Sequence, residues 1–306
     1  MISPETLASP SIDPAFQAVL IGGGQPQPPK SGEGSWPATD ELLDKSLEMA
    51  GNSRPNVLLV TSARWASRQS VEYLVAGYTN YYQNRGATTA VLHPYLYPTE
   101  RITDGTSLAE SPIDLAKVPS QAELTERTEA ADVVFVLGGD THRLLNQVWR
   151  PLGIDHLLES AMRRGAIISG VSAGAIAWFK GVQTASSSSR SDESIRDYDG
   201  FQYIDALGWI ANTICGAHYD QLYKGHPRQT SFHNMMQDRR ALGELGLGID
   251  NDAALQITAG GVARVLQSPA GNGNKQIHAV TYRGDNAQTT VLDPASGTFN
   301  LSDLAL

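Results

Sequence analysis

Short apolar runs alternate with amphipathic segments along most of the chain. The apolar runs are mainly aliphatic and end in glycine or small polar residues, which is typical of strands buried on both faces. The segments between them carry apolar residues at helical spacing. The runs are residues 16–21, 57–60, 89–92, 131–137 and 166–168, and the helical segments are 40–50, 70–85, 121–130, 142–149 and 155–164. This alternation predicts an α/β fold with a doubly wound, mostly parallel sheet and helices on both faces.

The C-terminal part of the chain has a different pattern. Short β-like runs separated by turns lie at residues 245–250, 253–257, 261–267 and 278–282. We expect these extra C-terminal β-strands to be antiparallel or mixed and to join the same sheet, with a hairpin tip at residues 271–274. Residues 1–15 are polar and hold three prolines, which predicts a loose N-terminal arm. No linker divides the remainder, so we predict a single α/β domain over residues 16–306.

The composition narrows the choice of partners and location. The chain has 306 residues, of which 41% are hydrophobic, so it can bury a large core. Its formal charge is −9 and it has no long basic cluster, which argues against nucleic acid and anionic membranes as partners. It has no apolar run long enough to span a membrane and no standard secretion signal, so we expect a cytoplasmic protein. The single cysteine, Cys215, excludes an intrachain disulfide.

Residues 166–180, AIISGVSAGAIAWFK, carry the strongest candidate chemistry. A predicted strand is followed by a turn of small residues around Ser172 and by a helix-compatible run at 175–180. This arrangement predicts a nucleophile elbow, in which a strained backbone holds the serine hydroxyl clear of the sheet at a helix N-terminus. The alternative is a strand–helix turn whose small residues serve close packing alone.

Two further motifs follow predicted strands and would lie at the same edge of the sheet. The backbone N–H groups of Gly138 and Gly139 are suited to an oxyanion hole, and the alternative is a simple glycine turn. Asp140 is expected to cap the next helix in either case. His218 follows a short apolar run, so Ser172 and His218 together predict a nucleophile and its base at two strand ends.

The sequence argues against a nucleotide cofactor and a metal. The glycines at 22–24 follow a predicted strand, but the prolines in the next residues, 25–28, cannot begin the helix that a dinucleotide loop needs. We interpret these glycines as a structural turn or as a loop bordering an active site. His226 and His233 are seven residues apart, and no cluster of ligand residues has zinc spacing, so we predict no metal site.

Four motifs in order carry a resemblance to a known family: LGGDTHRLLNQVW, GAIISGVSAGAIAWF, CGAHYD and GLGIDNDAAL. They are similar to those of the peptidase E (dipeptidase E) and cyanophycinase family of serine peptidases, and the similarity covers roughly residues 16–266. The fold of that family resembles class I glutamine amidotransferases, with serine in place of the elbow cysteine. A glutamine amidotransferase-like module is therefore disfavoured here, since the elbow residue is a serine.

The resemblance implies a role for each matching residue. Ser172 would be the nucleophile and His218 the general base, and the Gly138–Gly139 turn with the N–H of Ala173 would form the oxyanion hole. The implied reaction is hydrolysis of a peptide bond in a short substrate, a dipeptide or an isopeptide, typically next to an aspartyl residue. No cofactor is implied.

The chain departs from the family pattern where the third triad residue is expected. Similar members carry an acid shortly after the nucleophile helix, often as Thr-Asp-Ser, whereas residues 184–186 read Thr-Ala-Ser here. Losing this group can slow a serine hydrolase by a factor on the order of 10⁴. Asp192 or Glu193 could supply the carboxylate from a longer loop, which is the reading we favour. Otherwise a Ser–His dyad works slowly, or the protein has lost peptidase activity and binds a small molecule or peptide.

Substrate and subunit contacts are predicted on weaker patterns. An acidic substrate group needs a cation, and arginine binds carboxylates in a bidentate manner. Arg228 is the candidate, together with Asp140 as a second substrate-binding residue, and Arg190 and Arg196 are further candidates; the alternative for Arg228 is a solvated surface position. The aromatic stripe of residues 73–82 indicates core packing or a subunit contact, which would be consistent with a homodimer. Cys215 is expected to be buried and inert.

Overall fold

The computed structural model describes residues 9–24, 40–63, 68–92, 118–185, 196–242, 244–269, 275–283 and 285–304. Its strands are β1 (Ser11–Ile12), β2 (Ala18–Ile21), β3 (Asn56–Val60), β4 (Thr88–Val91), β5 (Val133–Val136), β6 (Ile167–Val171), β7 (Phe179–Thr184), β8 (Asp197–Tyr198), β9 (Phe201–Asp205), β10 (Ile210–Ala217), β11 (Leu222–Tyr223), β12 (His226–Pro227), β13 (Leu245–Ile249), β14 (Ala253–Ile257), β15 (Val262–Gln267), β16 (Ile277–Arg283), β17 (Asn286–Leu292) and β18 (Thr298–Asn300). Its helices are α1 (Asp40–Ala50), α2 (Arg68–Gln83), α3 (Gln121–Glu129), α4 (Arg150–Leu152), α5 (Ile154–Arg163), α6 (Ala173–Ile176), α7 (Arg228–Asp238) and α8 (Leu301–Leu304), and a π-helix, Arg143–Trp149, leads into α4.

The first sheet contains the parallel strands that the sequence predicts. Its strand order is β18-β15-β14-β2-β6-β5-β3-β4, and β2, β6, β5, β3 and β4 are parallel neighbours. Every residue of β2, β5 and β6 is buried, which explains why these strands read as continuous apolar runs in the sequence. The α/β class with a mostly parallel sheet flanked by helices is confirmed.

A second sheet holds the strands that follow the elbow. Its order is β17-β16-β13-β10-β7-β9-β8, with β1 paired to β10, and β7, β10 and β13 are parallel neighbours. The expectation that the C-terminal strands join one sheet is therefore only partly right. Strands β14, β15 and β18 extend the first sheet, whereas β13, β16 and β17 belong to the second. An apolar run identifies a strand but does not identify the strand it pairs with.

The end of the predicted N-terminal arm is attached to the second sheet. Ser11 and Ile12 pair with Ala211 and Ile210 of β10, and Asp13 forms an ion pair with Arg163 at 3.1 Å. Residues 1–8 lie outside the described residues, so the expectation of a loose arm remains a prediction there.

A continuous hydrophobic cluster joins the two sheets. It includes Ile168 of the first sheet and Leu247 of the second. It also includes Trp149 and Trp178, whose ring centroids are 5.3 Å apart. Except for Tyr73, which is exposed, the aromatic stripe of α2 belongs to a separate cluster on the other face of the first sheet, where Tyr82 packs on Phe135. Core packing is therefore the reading of this stripe that the structure supports.

The segment after the elbow differs from the sequence expectation. Residues 175–180 were expected to be helical, but α6 ends at Ile176 and β7 begins at Phe179. Gln183 and Thr184 complete β7 and are buried. Pairing of β7 with β9 and β10 outweighs the helical propensity of this short run. In the part of the chain that the structure describes, no helix has the length and apolar character needed to cross a membrane.

Candidate active site

Ser172 lies at a sharp turn between β6 and α6. Its backbone has φ 55° and ψ −117°, a conformation that L-residues rarely adopt. The turn can close because Gly174 has no side chain: a Cβ built there would lie 2.1 Å from the carbonyl oxygen of Val136 on β5. The strand, tight turn and helix of a nucleophile elbow are thus present around Ser172.

The structure brings Ser172 and His218 into direct contact. His218 is the first residue after β10, and its Nε2 lies 2.8 Å from Oγ of Ser172. The glycine turn after β2 supports this pair, since the N–H of His218 donates to the carbonyl oxygen of Gly22 at 3.0 Å. A Cβ on Gly23 would lie 2.2 Å from Nδ1 of His218. Of the two interpretations of this glycine run, the loop bordering the candidate site fits the geometry.

The other imidazole nitrogen contacts a residue that the sequence reasoning missed. Nδ1 of His218 lies 2.7 Å from Oδ1 of Asn251, which comes two residues after β13. Nδ2 of Asn251 donates to Oδ1 of Asp220 at 2.7 Å, and Nζ of Lys275 donates to the other oxygen of Asp220 at 2.7 Å. Ser172, His218, Asn251, Asp220 and Lys275 therefore form one hydrogen-bonded chain.

Asn251 contacts Nδ1 of His218, which is the nitrogen that the acid of a triad would contact. Asp192 and Glu193, the predicted sources of a carboxylate, lie outside the described residues, so their role remains a prediction. Both Asn251 and Asp220 stand in motifs quoted above, GLGIDNDAAL and CGAHYD. The signal that could have found Asn251 is its position: β13 is a parallel neighbour of β10, so the residues after both strands reach the same edge of the sheet.

Backbone groups next to Ser172 form the candidate oxyanion hole. A Cβ built on Gly138 would lie 3.0 Å from Cβ of Ser172, so the turn after β5 borders the nucleophile. Ala173 is the first residue of α6, and the N–H of a first helical residue has no acceptor within the helix. The N–H of Asp140 donates to the carbonyl oxygen of Ala63 at 2.8 Å, which holds Gly139 and the rest of the turn against the neighbouring loop.

Asp140 has the capping role that the sequence predicts. Its Oδ1 accepts the backbone N–H of Arg143 at 2.9 Å, and the residue is only 2% exposed. The second role proposed for Asp140, binding of substrate, remains a prediction.

Arg228 is a partly buried cation beside the Ser–His pair. It begins α7, and its Nη1 donates to the carbonyl oxygen of Ala217, the residue before His218, at 3.0 Å. Its guanidinium carbon lies 4.9 Å from the ring centroid of Phe201 and 5.8 Å from that of Tyr223. No ion pair within the described ranges involves Arg228, and its Nε is buried without a hydrogen-bond partner there. Burial lowers the pKa of Arg228 to about 10, so the group stays charged at neutral pH.

Of the two other arginine candidates, only Arg196 lies within the described residues. Arg196 is exposed and pairs with Asp238, and Arg190 lies outside the described residues. Cys215 is buried within β10, and burial raises the pKa of its thiol well above the usual value, in agreement with an inert cysteine. Among the residues whose placement is described, no group of three or more His, Cys, Asp and Glu could hold a metal ion.

The electrostatic environment keeps His218 neutral. Burial is the largest cause and the positive charge of Arg228 the second, and together they lower the pKa of His218 to about 4. The hydrogen bond that His218 donates to Oδ1 of Asn251 and the charge of Asp220 act in the opposite direction. For Asp220 itself, burial raises the pKa, but the hydrogen bonds from Asn251 and Lys275 outweigh burial, so its pKa is lowered. At neutral pH the site thus holds a neutral imidazole able to accept a proton and an ionised carboxylate behind Asn251.

Comparison with solved structures shows that this fold occurs in two proteins described as peptidases. The crystal structure of a peptidase from an acI-B1 Actinobacterium superimposes with a TM-score of 0.59 and 18% sequence identity, covering 93% of this chain and 96% of that one. A protein from Listeria monocytogenes EGD-e assigned as a peptidase E superimposes with a TM-score of 0.50 and 16% identity, covering 82% of this chain and 98% of that one.

Comparison of sequences identifies the family. The uncharacterized peptidase YgaJ of Bacillus subtilis (strain 168) is 29% identical over 162 residues, which is 53% of this chain and 62% of the relative's length. The sequence model of Peptidase family S51 matches residues 109–265, just over half of the chain, and this segment contains Ser172, His218 and Asn251. The predicted resemblance to peptidase E is thereby confirmed, and the chain belongs to Peptidase family S51.

Proposed function

We propose that this protein is a serine peptidase that hydrolyses a short peptide, with Ser172 as nucleophile and His218 as general base. The observation that carries the proposal is the 2.8 Å contact between Oγ of Ser172 and Nε2 of His218, in a site where the imidazole is neutral. A neutral Nε2 within hydrogen-bond distance of a hydroxyl is the geometry that general-base activation requires.

The reaction follows from this geometry. His218 takes the proton of Ser172 as Oγ bonds to the carbonyl carbon of the substrate, and negative charge develops on the carbonyl oxygen. The N–H of Ala173 and the turn at Gly138 and Gly139 stabilise that charge. His218 then gives the proton to the leaving amine, and the C–N bond breaks to leave an acyl-enzyme. Water, deprotonated by His218, attacks the ester and releases the acid and free Ser172.

Asn251 fills the third place of the triad with an amide. Cys-His-Asn triads show that an amide can hold a catalytic imidazole in place. An amide fixes the ring and its tautomer but adds no negative charge to stabilise the imidazolium, so we expect slower turnover than with a carboxylate. The reading in which the protein has lost catalysis and only binds gains no support from this geometry, because the contact between Ser172 and His218 is intact.

For the substrate class we propose a peptide or isopeptide with an acidic group near the cleaved bond, such as an aspartyl dipeptide. Arg228 supports this choice, since it is a partly buried guanidinium close to the base, with a buried Nε, and forms no ion pair with the described carboxylates. A substrate carboxylate would supply the missing counter-charge and could bind the guanidinium in a bidentate manner.

The test begins with a fluorophosphonate probe, read by intact mass. We expect a single adduct on the wild-type protein and none on Ser172→Ala or His218→Ala. Hydrolysis of Asp-X and β-aspartyl dipeptides is then compared with hydrolysis of the matching Asn-X peptides. Arg228→Met should abolish the preference for the acidic peptide, and Arg228→Lys should retain part of it. Absence of any adduct on folded wild-type protein, also with a smaller sulfonyl fluoride, would contradict the proposal.

A further inference from the structure

The side-chain amide of Asn251 has two different ends, and the end that faces His218 decides which tautomer the imidazole adopts. If the oxygen faces Nδ1, that nitrogen carries the proton and Nε2 is free to accept the proton of Ser172. If the NH₂ group faces Nδ1, the proton moves to Nε2, and the imidazole can no longer act as a base toward Ser172. A carboxylate in this place would need no such choice, because its two oxygens are equivalent.

Asp220 lies where it can determine the orientation of the Asn251 amide. One of its oxygens accepts two hydrogen bonds, one from Nδ2 of Asn251 at 2.7 Å and one from the backbone N–H of Asn251 at 2.9 Å. An ionised carboxylate can only accept hydrogen bonds, so it attracts the NH₂ end of the amide and leaves Oδ1 facing His218. Nζ of Lys275 donates to the second oxygen of Asp220 at 2.7 Å, which keeps the carboxylate in position and ionised.

We propose that Asp220 is a positioning residue that fixes the amide orientation of Asn251 and thereby the catalytically competent tautomer of His218. The proposal rests on the proposed function in one respect, namely that His218 acts as the base toward Ser172. It adds that the carboxylate on which the reaction depends contacts Asn251, whereas in a Ser-His-Asp triad the carboxylate contacts the imidazole directly.

The competing explanation is that Asp220 only holds the backbone turn at Asn251 through the 2.9 Å hydrogen bond to its N–H. The two explanations differ when residue 251 is changed to a carboxylate. In an N251D background the orientation of the side chain no longer matters, so a positioning role for Asp220 disappears. A role in holding the backbone is the same in both backgrounds.

The first measurement is the tautomer of His218, read from ¹⁵N chemical shifts of the imidazole in protein labelled at histidine, at a pH near 7. Assignment uses the His218→Gln variant. In the wild-type protein we expect a protonated Nδ1 and an unprotonated Nε2. In Asp220→Ala we expect a mixture of both tautomers. Asp252→Asn is the control, because it removes the charge of a neighbouring carboxylate whose side chain is not part of the chain of hydrogen bonds. A wild-type His218 protonated at Nε2 would overturn the proposal without any variant.

The second measurement is a double-mutant cycle on the rate of fluorophosphonate labelling. Asp220→Ala should slow labelling roughly 2- to 10-fold, in proportion to the fraction of His218 that carries its proton on Nε2 and cannot act as a base. The same substitution in the N251D background should leave the labelling rate unchanged or raise it, because it also removes one of two adjacent carboxylates. An equal loss in both backgrounds would show a structural role and overturn the proposal.

The two readouts separate this inference from the proposed function. If the wild-type tautomer is as expected and changes in Asp220→Ala while no peptide is hydrolysed, the assignment of substrate fails and the role of Asp220 stands. If peptides are hydrolysed but the tautomer and labelling rate do not respond to Asp220→Ala, the inference fails and the peptidase assignment stands.

Discussion

Removal of the positive charge at Arg228 should raise the pKa of His218, and the size of the effect can be estimated from the structure. Burial and Arg228 together place this pKa at about 4, against 6.5 for an ordinary histidine. At pH 5 a histidine with a pKa of 4 is roughly nine tenths neutral, whereas one with a pKa of 6.5 is roughly 3% neutral. Because only the neutral imidazole can act as a base, the two cases differ about 30-fold in reactive enzyme at that pH. This is the upper bound for removal of the Arg228 charge, because burial, the larger cause of the lowered pKa, remains.

The sign of the pH dependence follows from the direction of this pKa. Since the pKa of His218 is lowered, its base function is fully present above about pH 5 and is lost as the pH falls through 4. In Arg228→Met the repulsion is gone but burial remains, so the loss should begin at a higher pH. Arg228→Lys keeps the charge, so its profile should resemble that of the wild-type protein.

The assay is the second-order rate of labelling by an uncharged fluorophosphonate between about pH 4 and 8. This probe carries no carboxylate, so the rate reports on the base and not on substrate binding by Arg228. Far-UV circular dichroism at each pH confirms that the protein stays folded. The reasoning would be refuted if the wild-type rate fell with a midpoint near 6.5, or if Arg228→Met and Arg228→Lys gave the same midpoint as each other.

Three further predictions follow from the packing around the site. Gly23→Ala should slow labelling roughly 100-fold, because the new methyl group would displace the ring of His218. In the control Gly153→Ala a Cβ meets open space but alanine is strained at a φ of 65°, so stability should fall while the labelling rate of the folded protein stays unchanged. Ser172→Gly should be more stable than Ser172→Ala by about 1–2 kcal/mol in chemical denaturation, since glycine adopts the positive φ without strain, and equal stabilities would argue against a strained elbow. Cys215 should resist iodoacetamide in the folded protein and react only after unfolding, and rapid alkylation at pH 8, seen by mass spectrometry, would show that the thiol is accessible.

The sequence was sufficient for the parts of the site that follow apolar strands. Ser172 and His218 could both be predicted because each comes directly after a run of buried residues, and parallel strands present their ends at one edge of a sheet. Asn251 stands in an equivalent position after β13, but an amide is not among the residues usually sought as a triad member. The described hydrogen bonds of the Asp220 side chain go to Asn251 and Lys275, so the role that we propose for it could be recognised only once the side chains were placed.

The division of the strands between two sheets could not be read from the sequence. The pattern of residues 245–249 and 253–257 is equally apolar, yet β13 pairs with β10 and β14 pairs with β2. Both strands are buried throughout, and burial is the property that their composition encodes. In the same way, the short run around Phe179 is compatible with a helix in isolation and becomes a strand because two neighbouring strands offer hydrogen bonds.

The contact between Ser172 and His218 is also a contact between the two sheets, beside the backbone hydrogen bond that His218 donates to Gly22. Ser172 follows β6 of the first sheet, and His218 follows β10 of the second, so their 2.8 Å hydrogen bond exists only while the two sheets keep one alignment. A relative displacement of about 1 Å would break it, although each sheet would keep all of its own backbone hydrogen bonds. Warming should therefore inactivate the protein reversibly at a temperature below that at which its secondary structure melts. The rate of labelling of Ser172 would then report on the alignment of the two sheets.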